Sequence, residues 1–438
     1  MHRLFRNWFY NDVMIATRRA TNIALNQAGT ALVAATIFLA GIVMAEESKP
    51  QARRIHLPSK PYTYSKVNVP LHATAAAKQF DNTPDHNPIT DHGATLGRVL
   101  FYDKTISVNA TTSCASCHKQ ELAFTDNKKL SIGFDGQQVP RNSMSLVNVR
   151  FYPNGKMFWD ERADSLEEQV LMPIENPIEM GHNLEALIEQ LQDDPIYPPL
   201  FKQAFGTEQT SSERISLALA QFVRSIASFE SKFDAGRVQV ENVEDDFPNF
   251  TDEENYGKEQ FFGRARCSEC HLEDARRNEK AIRQSAFFYL QSAAVNGVDS
   301  KEEDDDPGVG EFTKKDEDIG KFKVPSLRNV ELTGPYMHDG RFHTLDQVIE
   351  HYNWSVRPHP NIDPRLADFA ANGMALPERE KVALTKFLLT LTDHKLVKDS
   401  RFSDPFLTMP EKKSVEVSTS GRTVQTETLS VRKKVEKH

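Results

Sequence analysis

Two short segments hold all four cysteines of the chain, and in each a histidine directly follows the second cysteine. The first segment comprises Cys114, Cys117 and His118, and the second comprises Cys267, Cys270 and His271. Two thiols separated by two residues can both reach one edge of a haem and form thioethers with its vinyl groups. The histidine that follows then lies under the metal as a proximal iron ligand. The spacing predicts two covalently bound c-type haems.

Four cysteines have two other common roles. They form disulfides, or they bind a structural zinc ion as a four-cysteine site. Neither role requires a histidine directly after each cysteine pair, so both explain less of the pattern than haem attachment does.

Length and composition are those of a soluble two-domain protein. The chain has 438 residues, of which 39% are hydrophobic and 26% are charged. This length is enough for two domains with separate cores. The net charge of −9 argues against a nucleic-acid partner.

Residues 1–45 have the three parts of an export signal. Arginines outnumber acids in the first part, an apolar run extends from Ala31 to Met44, and the small residue Ala45 follows. This order is typical of a signal peptide, and the run is shorter than the roughly 20 apolar residues of a membrane span. Because the basic segment is long, an uncleaved anchor in the inner membrane is the alternative. Both interpretations place the body of the protein in the periplasm.

The remaining chain is predicted to form two haem domains with flanking segments. Residues 46–95 form a linker and N-terminal extension, since prolines punctuate a polar stretch at their start. A polar break at Asp245–Asn249 separates an N-terminal haem domain, 96–248, from a C-terminal haem domain, 249–400. Residues 401–438 are predicted to be a disordered tail.

The predicted fold class is mainly α, with short helices and long loops around the cofactors. Capping boxes at Ser165, Thr251 and Thr344 begin helices, and the first of these is expected to end at Pro173. Apolar periodicity predicts helices over 183–191 and 212–229, and Pro377 begins the last helix. Strand signals are few, and no repeat is evident beyond the two haem motifs.

The order of these motifs resembles that of the bacterial di-haem cytochrome c peroxidase family, which includes the MauG-type enzymes. The resemblance extends from about Leu96 to Leu391. Besides the two haem motifs, it rests on AFTD at 123–126, FWDERA at 158–163, EMG at 179–181, KVPSLRNV at 323–330 and PYMHDG at 335–340, together with Gln169 and Pro173. It implies two cytochrome c-like domains with neighbouring haems, the first reacting with peroxide and the second receiving or storing electrons.

The resemblance gives roles to three further residues of the first domain. Trp159 matches the tryptophan between the two haems, although a lone tryptophan beside Phe158 would otherwise be expected in the core. Glu179 matches the distal carboxylate, which takes a proton from one peroxide oxygen and delivers one to the other. Gln169 matches a polar neighbour that holds peroxide or water. The alternative for Glu179 is an acid at the N-terminus of the helix that follows Asn183.

The first haem is predicted to be five-coordinate and open. Many family members place a histidine on its distal side in the loop after the haem motif, but no histidine lies between His118 and His182 here. This resembles the MauG-type and constitutively active members. Met144 is the other residue that could fill the sixth position.

The sixth ligand of the second haem is assigned to Tyr352 by the resemblance. Many peroxidases have methionine at this position, whereas MauG-type proteins have tyrosine. An anionic oxygen donor favours ferric iron, whereas methionine raises the potential. Met337 and Met374 are the rival ligands, and His351 should face another direction on a helix.

The resemblance also implies a calcium site between the domains, with ligands at Asn142, Thr333 and Pro335. Side-chain and carbonyl oxygens suit calcium, although the sequence has no acidic ligand cluster to support the site independently.

The function expected from these features is that of an exported di-haem peroxidase. Hydrogen peroxide is reduced at the open first haem, with electrons passed through the second haem from a small donor protein such as a cytochrome c or a cupredoxin. One alternative is a MauG-like enzyme that oxidises a side chain of a protein substrate. The other is a di-haem electron carrier, which should have both irons six-coordinate.

Overall fold

The computed structural model describes residues 53–271, 287–290, 292–300 and 306–406. The expected export signal, the start of the linker, residues 407–438 of the expected tail and most of an acidic run at 302–306 lie outside these ranges. Within the described ranges, none of the helices combines the length and apolar character needed to span a bilayer.

Helices and loops make up the described chain, which confirms the mainly α prediction. The α-helices are Leu71–Phe80, Asp91–Tyr102, Cys114–Cys117, Leu166–Gln169, Met172–Glu175, Leu184–Asp193, Tyr197–Phe205, Ser212–Ser225, Lys232–Arg237, Asp252–Phe262, Gly310–Thr313, Leu345–Glu350, Ala367–Asn372 and Glu378–Leu389. A π-helix, His351–Ser355, continues the helix that ends at Glu350. The 3₁₀-helices are Lys104–Ile106, Gln120–Leu122, Val149–Phe151, Cys267–Glu269, Asp316–Asp318, Val330–Leu332, Leu396–Lys398 and Ser400–Phe402. No strand occurs in the described ranges, where β-structure is limited to isolated bridges.

The predicted helix starts agree with the structure, but the end assigned to Pro173 is wrong. The Ser165 side chain accepts a hydrogen bond from the Glu168 amide, and complete capping boxes begin the helices after Thr251 and Thr344. The Ser165-capped helix already ends at Gln169, and Pro173 lies in the first turn of the next helix. Proline is tolerated there because amides of the first turn have no partner within the helix.

Each of two hydrophobic cores is built on a pair of closely crossing helices. In the first core, helix Asp91–Tyr102 contacts helix Ser212–Ser225, and a Cβ on Gly97 would lie 1.9 Å from the Ala218 carbonyl oxygen. In the second core, the pair consists of helices Asp252–Phe262 and Glu378–Leu389, and a Cβ on Gly257 would lie 1.9 Å from the Ala383 carbonyl oxygen. Glycine lets the two backbones of each pair approach to this distance.

These helix pairs are an internal repeat that the sequence analysis missed. The first helices share the pattern Gly, basic residue, two residues, Phe, aromatic residue at 97–102 and 257–262, and the second helices share Ala-Leu-x-x-Phe at 218–222 and 383–387. The segments SLVNV at 145–149 and SLRNV at 326–330 also correspond. Asn148 and Asn329 both have positive φ and donate their amides to the ends of the helices, at Ile226 and Leu391.

The two cores divide the chain differently from the predicted boundaries. The second core already includes Phe233, and Phe247 within the polar break at 245–249 is fully buried in it, so this break is part of the second core rather than a linker between domains. Buried Lys258 holds this loop by donating to the carbonyls of Val243 and Asp245.

Both ends of the described chain belong to the first core. Leu396 and Phe402 are buried in it, so residues 401–406 are ordered and not part of a disordered tail. Tyr64 from the expected linker is also buried there and donates its hydroxyl to the Arg401 carbonyl. Aromatic side chains in segments of polar composition explain why pattern analysis assigned both segments to the exterior.

A buried ion pair joins the helix Lys232–Arg237 to the SLRNV segment. The Arg328 guanidinium donates to both oxygens of Asp234 at 2.8 Å, and His72 from the N-terminal helix contacts the same carboxylate at 3.1 Å. Burial opposes ionisation of Asp234, but Arg328 and hydrogen bonds from His72 and Ser231 hold its pKa well below the usual value.

Asp234→Asn is expected to destabilise the protein by about 3–5 kcal/mol, because it leaves the Arg328 charge buried without a counter-charge. Denaturant unfolding followed by circular dichroism measures this. Asp164→Asn is the control, since Asp164 pairs with Lys156 at an exposed site where a pair contributes about 0–1 kcal/mol. Equal losses in the two variants would contradict the assignment.

Candidate haem sites and the contact between the domains

The first cysteine motif forms a single helical turn, Cys114–Cys117, that ends at His118. The ring Nδ1 of His118 lies 2.9 Å from the Phe124 carbonyl oxygen. Because a carbonyl can only accept, Nδ1 carries the proton and Nε2 has a free lone pair, as a metal ligand requires. Burial lowers the pKa of His118 and therefore also favours the neutral ring.

The segment behind His118 contains Met144, the rival distal ligand. Ser143 donates to the Cys117 carbonyl, and the Met144 backbone makes a hydrogen bond to the His118 ring. The Met144 backbone is therefore attached to His118, the expected proximal ligand.

The second cysteine motif has the same arrangement. The Nδ1 of His271 lies 3.2 Å from the Pro325 carbonyl oxygen, and burial lowers the pKa of His271 to about 4. Pro325 and Met144 occupy equivalent positions, each directly before a Ser-Leu pair of the repeat. Both motifs thus present a neutral histidine with Nε2 free, which fits the binding of one haem each.

The two alternative roles of the cysteines are not supported. All four cysteines are free, and the described residues include no cluster of three or more Cys, His, Asp or Glu side chains able to hold a metal ion. Burial raises the pKa of Cys114 to about 12 and that of Cys117 to about 11. Burial is the largest cause of both shifts.

Glu179 lies beside the first cysteine motif. Its charge contributes, after burial, to the raised pKa of Cys114 and Cys117. Burial raises the pKa of Glu179 itself, while Arg162 and a 2.8 Å hydrogen bond from Asn176 act in the opposite direction. Glu179 does not cap the next helix, because Asn183 has that role and accepts from the Ala186 amide. The helix-terminus alternative is therefore wrong.

A glycine loop fixes the backbone of Glu179. The amide of Phe134 donates to the Glu179 carbonyl at 3.0 Å. A Cβ on Gly133 would lie 1.6 Å from the Ile178 carbonyl oxygen, so only glycine permits this close approach.

Gln169 is half-buried at the last position of helix Leu166–Gln169. Its side-chain amide has no hydrogen-bond partner among the described residues, so the amide is available to a ligand.

Trp159 joins the two domains through both its side chain and its backbone. Its indole N–H donates to the Asn142 carbonyl at 2.8 Å, and its own carbonyl accepts from the Lys323 amide at 2.7 Å. Asn142 directly precedes Ser143, which contacts the first motif, and Lys323 lies two residues before Pro325. Trp159 is therefore connected to the segment behind each proximal histidine.

The contact between the domains follows the internal repeat. Asn142 donates its amide to the His338 carbonyl at 2.7 Å, as Lys323 does to the Trp159 carbonyl. Asn142 and Lys323 each lie three residues before the Ser-Leu pair of the repeat. Trp159 and His338 each lie two residues into a turn closed by an antiparallel bridge, Met157–Ala163 and Tyr336–Phe342. Each domain thus donates a backbone amide from one position of the repeat to a backbone carbonyl at an equivalent position of the other domain.

Tyr352 lies on the π-helix beside the second cysteine motif. Burial raises the pKa of Tyr352, and Cys270 and Cys267 act in the same direction. The Asn296 side chain hydrogen-bonds the Tyr352 hydroxyl and also contacts the Met337 sulfur at 3.4 Å. The ring of His351 points instead to the Asn296 carbonyl, at 3.2 Å. π-Helical turns recur at functional sites.

The rival Met374 is buried in the second core, which also contacts Tyr352. Met337 and Met374 both lie in the domain that contains the second cysteine motif. The assignment of Tyr352 as the sixth ligand of the second haem therefore stays a prediction.

The three expected calcium ligands lie on segments that meet between the domains. Both N–H groups of the Asn142 amide are used, by the carbonyls of Lys128 and Lys129 at 3.1 Å. Its amide oxygen is therefore the atom left for a cation. Thr333 donates its hydroxyl to the Val330 carbonyl, and its oxygen keeps a lone pair.

Three residues that the structure brings to these sites were not predicted from the sequence. Asn176, Asn296 and Lys323 contact Glu179, Tyr352 and Trp159, respectively. For Lys323, a signal existed in its position within the KVPSLRNV segment. Asn296 lies in a stretch without a recognisable motif.

Comparison with known proteins agrees with this geometry. The family model for di-haem cytochrome c peroxidases matches residues 91–241. The methylamine utilization protein MauG of Methylorubrum extorquens is 33% identical over 312 residues, which cover 70% of this chain and 80% of MauG. Cytochrome c551 peroxidase of Nitrosomonas europaea is 36% identical over 259 residues, which cover 59% of this chain and 71% of the peroxidase.

Solved structures agree as well. A MauG-like protein associated with microbial copper homeostasis is 30% identical, with a TM-score of 0.66 and coverage of 78% of this chain and 99% of that protein. The di-haem peroxidase BthA of Burkholderia thailandensis, 21% identical with a TM-score of 0.55 and coverage of 81% and 99%, shares the fold. From these similarities, the chain belongs to the di-haem cytochrome c peroxidase family, whose members act on peroxide with two haem groups.

Proposed function

We propose that this protein reduces hydrogen peroxide at its first haem, and that the cysteines of both motifs bind their haems covalently. The observation that carries the proposal is the position of Glu179. It is a half-buried carboxylate beside Cys114 and Cys117, with a pKa raised by burial. A carboxylate with a raised pKa in an apolar pocket is suited to proton transfer near neutral pH.

The haem groups supply the peroxide-binding iron and the electrons, and the side chains supply orientation and proton transfer. Glu179 would take a proton from one oxygen of hydrogen peroxide and deliver it to the other oxygen, which leaves as water. Asn176 holds one oxygen of Glu179 and so aims the other one. The free amide of Gln169 holds peroxide or water by a hydrogen bond. Residues 119–181 include no histidine that could occupy the sixth position of the first haem.

Trp159 provides the electron path between the haems in this proposal. Its hydrogen bonds support that role, because the indole N–H donates to the Asn142 carbonyl and the Trp159 backbone carbonyl accepts from the Lys323 amide. Trp159 is thereby attached to both segments that contact the proximal histidines.

Two measurements test this proposal. Mass spectrometry of the denatured protein should show two retained haems, and a reducing dye should support peroxide reduction without prior reduction of the protein. The double variant Cys267→Ala, Cys270→Ala should retain a single covalent haem. A denatured wild-type chain without haem would refute covalent attachment, and peroxide consumption at the rate of buffer would refute the enzymatic function.

Tyr352 favours a second candidate function, oxidation of a side chain in a protein substrate. An anionic ligand on the second haem would stabilise higher oxidation states, as a long-lived oxidant for a protein requires. The MauG similarity supports this candidate. A mass change in a co-purified protein after peroxide addition would favour it, whereas rapid turnover with a small reduced cytochrome c or cupredoxin would favour simple peroxide reduction.

The remaining expectations enter as parts of the same proposal. Calcium binds at Asn142, Thr333 and Pro335, where neutral oxygens suit it. The N-terminal segment exports the protein to the periplasm, with cleavage or anchoring in the inner membrane as alternatives. The electron-carrier alternative is not favoured, since a carrier has no use for a half-buried carboxylate beside an open haem.

A further inference from the structure

A pair of buried tyrosines lies next to the turn that carries Trp159. Tyr152 is fully buried and Tyr289 is 6% exposed. Their ring centroids are 5.2 Å apart. The pair is part of a third apolar cluster, which also includes the N-terminal helix. Neither ring belongs to the first or second helix pair, so packing of the haem domains does not require a phenol at these positions.

Two independent contacts connect Tyr152 to Trp159. The first runs through Glu161, two residues after Trp159, which accepts the Tyr152 hydroxyl at 2.6 Å. The second runs through Lys323. Its amide donates to the Trp159 carbonyl, and its Nζ lies 3.5 Å from the centroid of the Tyr152 ring. Tyr152 is therefore held against the bridge between the haems.

The two tyrosines differ in what accepts their protons. The Tyr152 hydroxyl donates to a carboxylate oxygen of Glu161, which can bind a proton. The Tyr289 hydroxyl donates to the Val147 carbonyl at 3.2 Å. An amide carbonyl does not act as a base near neutral pH. A buried phenol loses an electron readily only if its proton can leave at the same time, because a charged phenol is strongly disfavoured by burial.

We propose that Tyr152 is a one-electron donor to the Trp159 bridge, with Glu161 as the acceptor of its proton. The proposal rests on the proposed peroxidase function, which supplies the oxidant. When peroxide has oxidised the haem pair and no external donor is bound, one electron passes from Tyr152 by way of Trp159 to that pair. The Tyr152 O–H bond breaks, a new O–H bond forms on Glu161, and a neutral tyrosyl radical is left.

Lys323 keeps this arrangement in place. It is buried, and its ammonium donates to the Lys156 carbonyl at 3.1 Å. Burial lowers the pKa of Lys323 to about 7, partly opposed by Glu161. A lysine that loses its charge near neutral pH does not add a full positive charge to the oxidised tyrosine. Asn154 donates to the same Glu161 oxygen at 2.9 Å and fixes the carboxylate.

The test uses the haem-loaded protein, mixed with one equivalent of hydrogen peroxide in the absence of reductant and frozen at intervals. The wild type and Tyr289→Phe should show a tyrosyl radical by electron paramagnetic resonance, and ring-deuterated tyrosine should narrow its signal. Tyr152→Phe should lose the signal. Glu161→Gln, which keeps an oxygen acceptor but not a base, should lower its yield at least tenfold. The visible spectrum in the same samples reports whether peroxide oxidises the haems.

The haem spectra distinguish a failure of the proposed peroxidase function from a failure of the role proposed for Tyr152. Haem spectra that do not respond to peroxide would overturn the proposed function together with this inference. Haem spectra that respond, with a radical that persists in Tyr152→Phe or disappears in Tyr289→Phe, would overturn the inference alone. Equal circular dichroism and haem content in the variants exclude misfolding as the cause of a lost signal.

Discussion

Glu179→Gln is expected to lower kcat for peroxide reduction by about 10²–10⁴-fold, the usual contribution of a positioned acid–base group. The amide is nearly isosteric and can still bind water, but it cannot accept the proton of peroxide. Haem content and the spectrum of the second haem should be unchanged, because the charge of Glu179 acts on the cysteines of the first motif. Steady-state peroxide consumption with a reducing dye measures the effect.

Glu175→Gln is the matched control. Glu175 is an exposed acid at the end of the short helix before Glu179, and its replacement should leave kcat within a factor of two. If both variants keep wild-type activity, the carboxylate at 179 is not the proton carrier.

The pH dependence gives a second test of Glu179. The reaction needs its carboxylate form, so activity should fall as the pH drops through its pKa. Burial raises that pKa above the usual value of 4.5, and the acidic limb of kcat/KM should therefore lie at a higher pH than for an exposed glutamate. This limb should be absent in Glu179→Gln. A limb that persists in the variant would assign it to another group.

Tyr352→Phe is expected to have the second largest effect, on the potential of the second haem. Loss of an anionic oxygen ligand should change the low-spin signal of that haem and raise its potential. Axial ligands set haem potentials over a range of about 0.8 V, so a rise on the order of 0.1 V or more is expected. The variant should also lose the ability to hold an oxidised state shared between the haems. Spectroelectrochemical titration measures the potential.

Tyr336→Phe is the control for Tyr352, because Tyr336 contacts the same core but donates its hydroxyl to the Val330 carbonyl. It should leave the potential unchanged. If Tyr352→Phe also leaves it unchanged, the ligand is Met337 or Met374. A methionine ligand would show a charge-transfer band at the red edge of the ferric spectrum, and a Met→Leu change would remove that band.

The sequence was sufficient for the parts of the sites that depend on local spacing. The haem motifs, the helix caps at Thr251 and Thr344, and the mainly α fold follow from residues within a few positions of each other. The resemblance then led to Glu179, Trp159 and Tyr352, and the structure places each beside a cysteine motif or between the two.

Features that depend on distant residues were not found in this way. Phe402 and Tyr64 complete the first core from opposite ends of the chain, and single aromatic residues in polar segments give no periodic signal. The internal repeat was visible in the Gly97 and Gly257 patterns, but its meaning depends on two helices that cross about 120 residues apart in the chain. The hydrogen bond from Lys323 to Trp159 is visible only in the contact between the domains.

Electron paramagnetic resonance of the resting ferric protein tests the central claim most directly. We expect one high-spin signal from an open first haem and one low-spin signal from the second haem, both present without prior reduction. One equivalent of hydrogen peroxide should abolish the high-spin signal, and Met144→Leu should leave the resting spectrum unchanged, because the Met144 backbone lies behind His118. Two low-spin signals that do not respond to peroxide would contradict the account and favour an electron carrier with both irons six-coordinate.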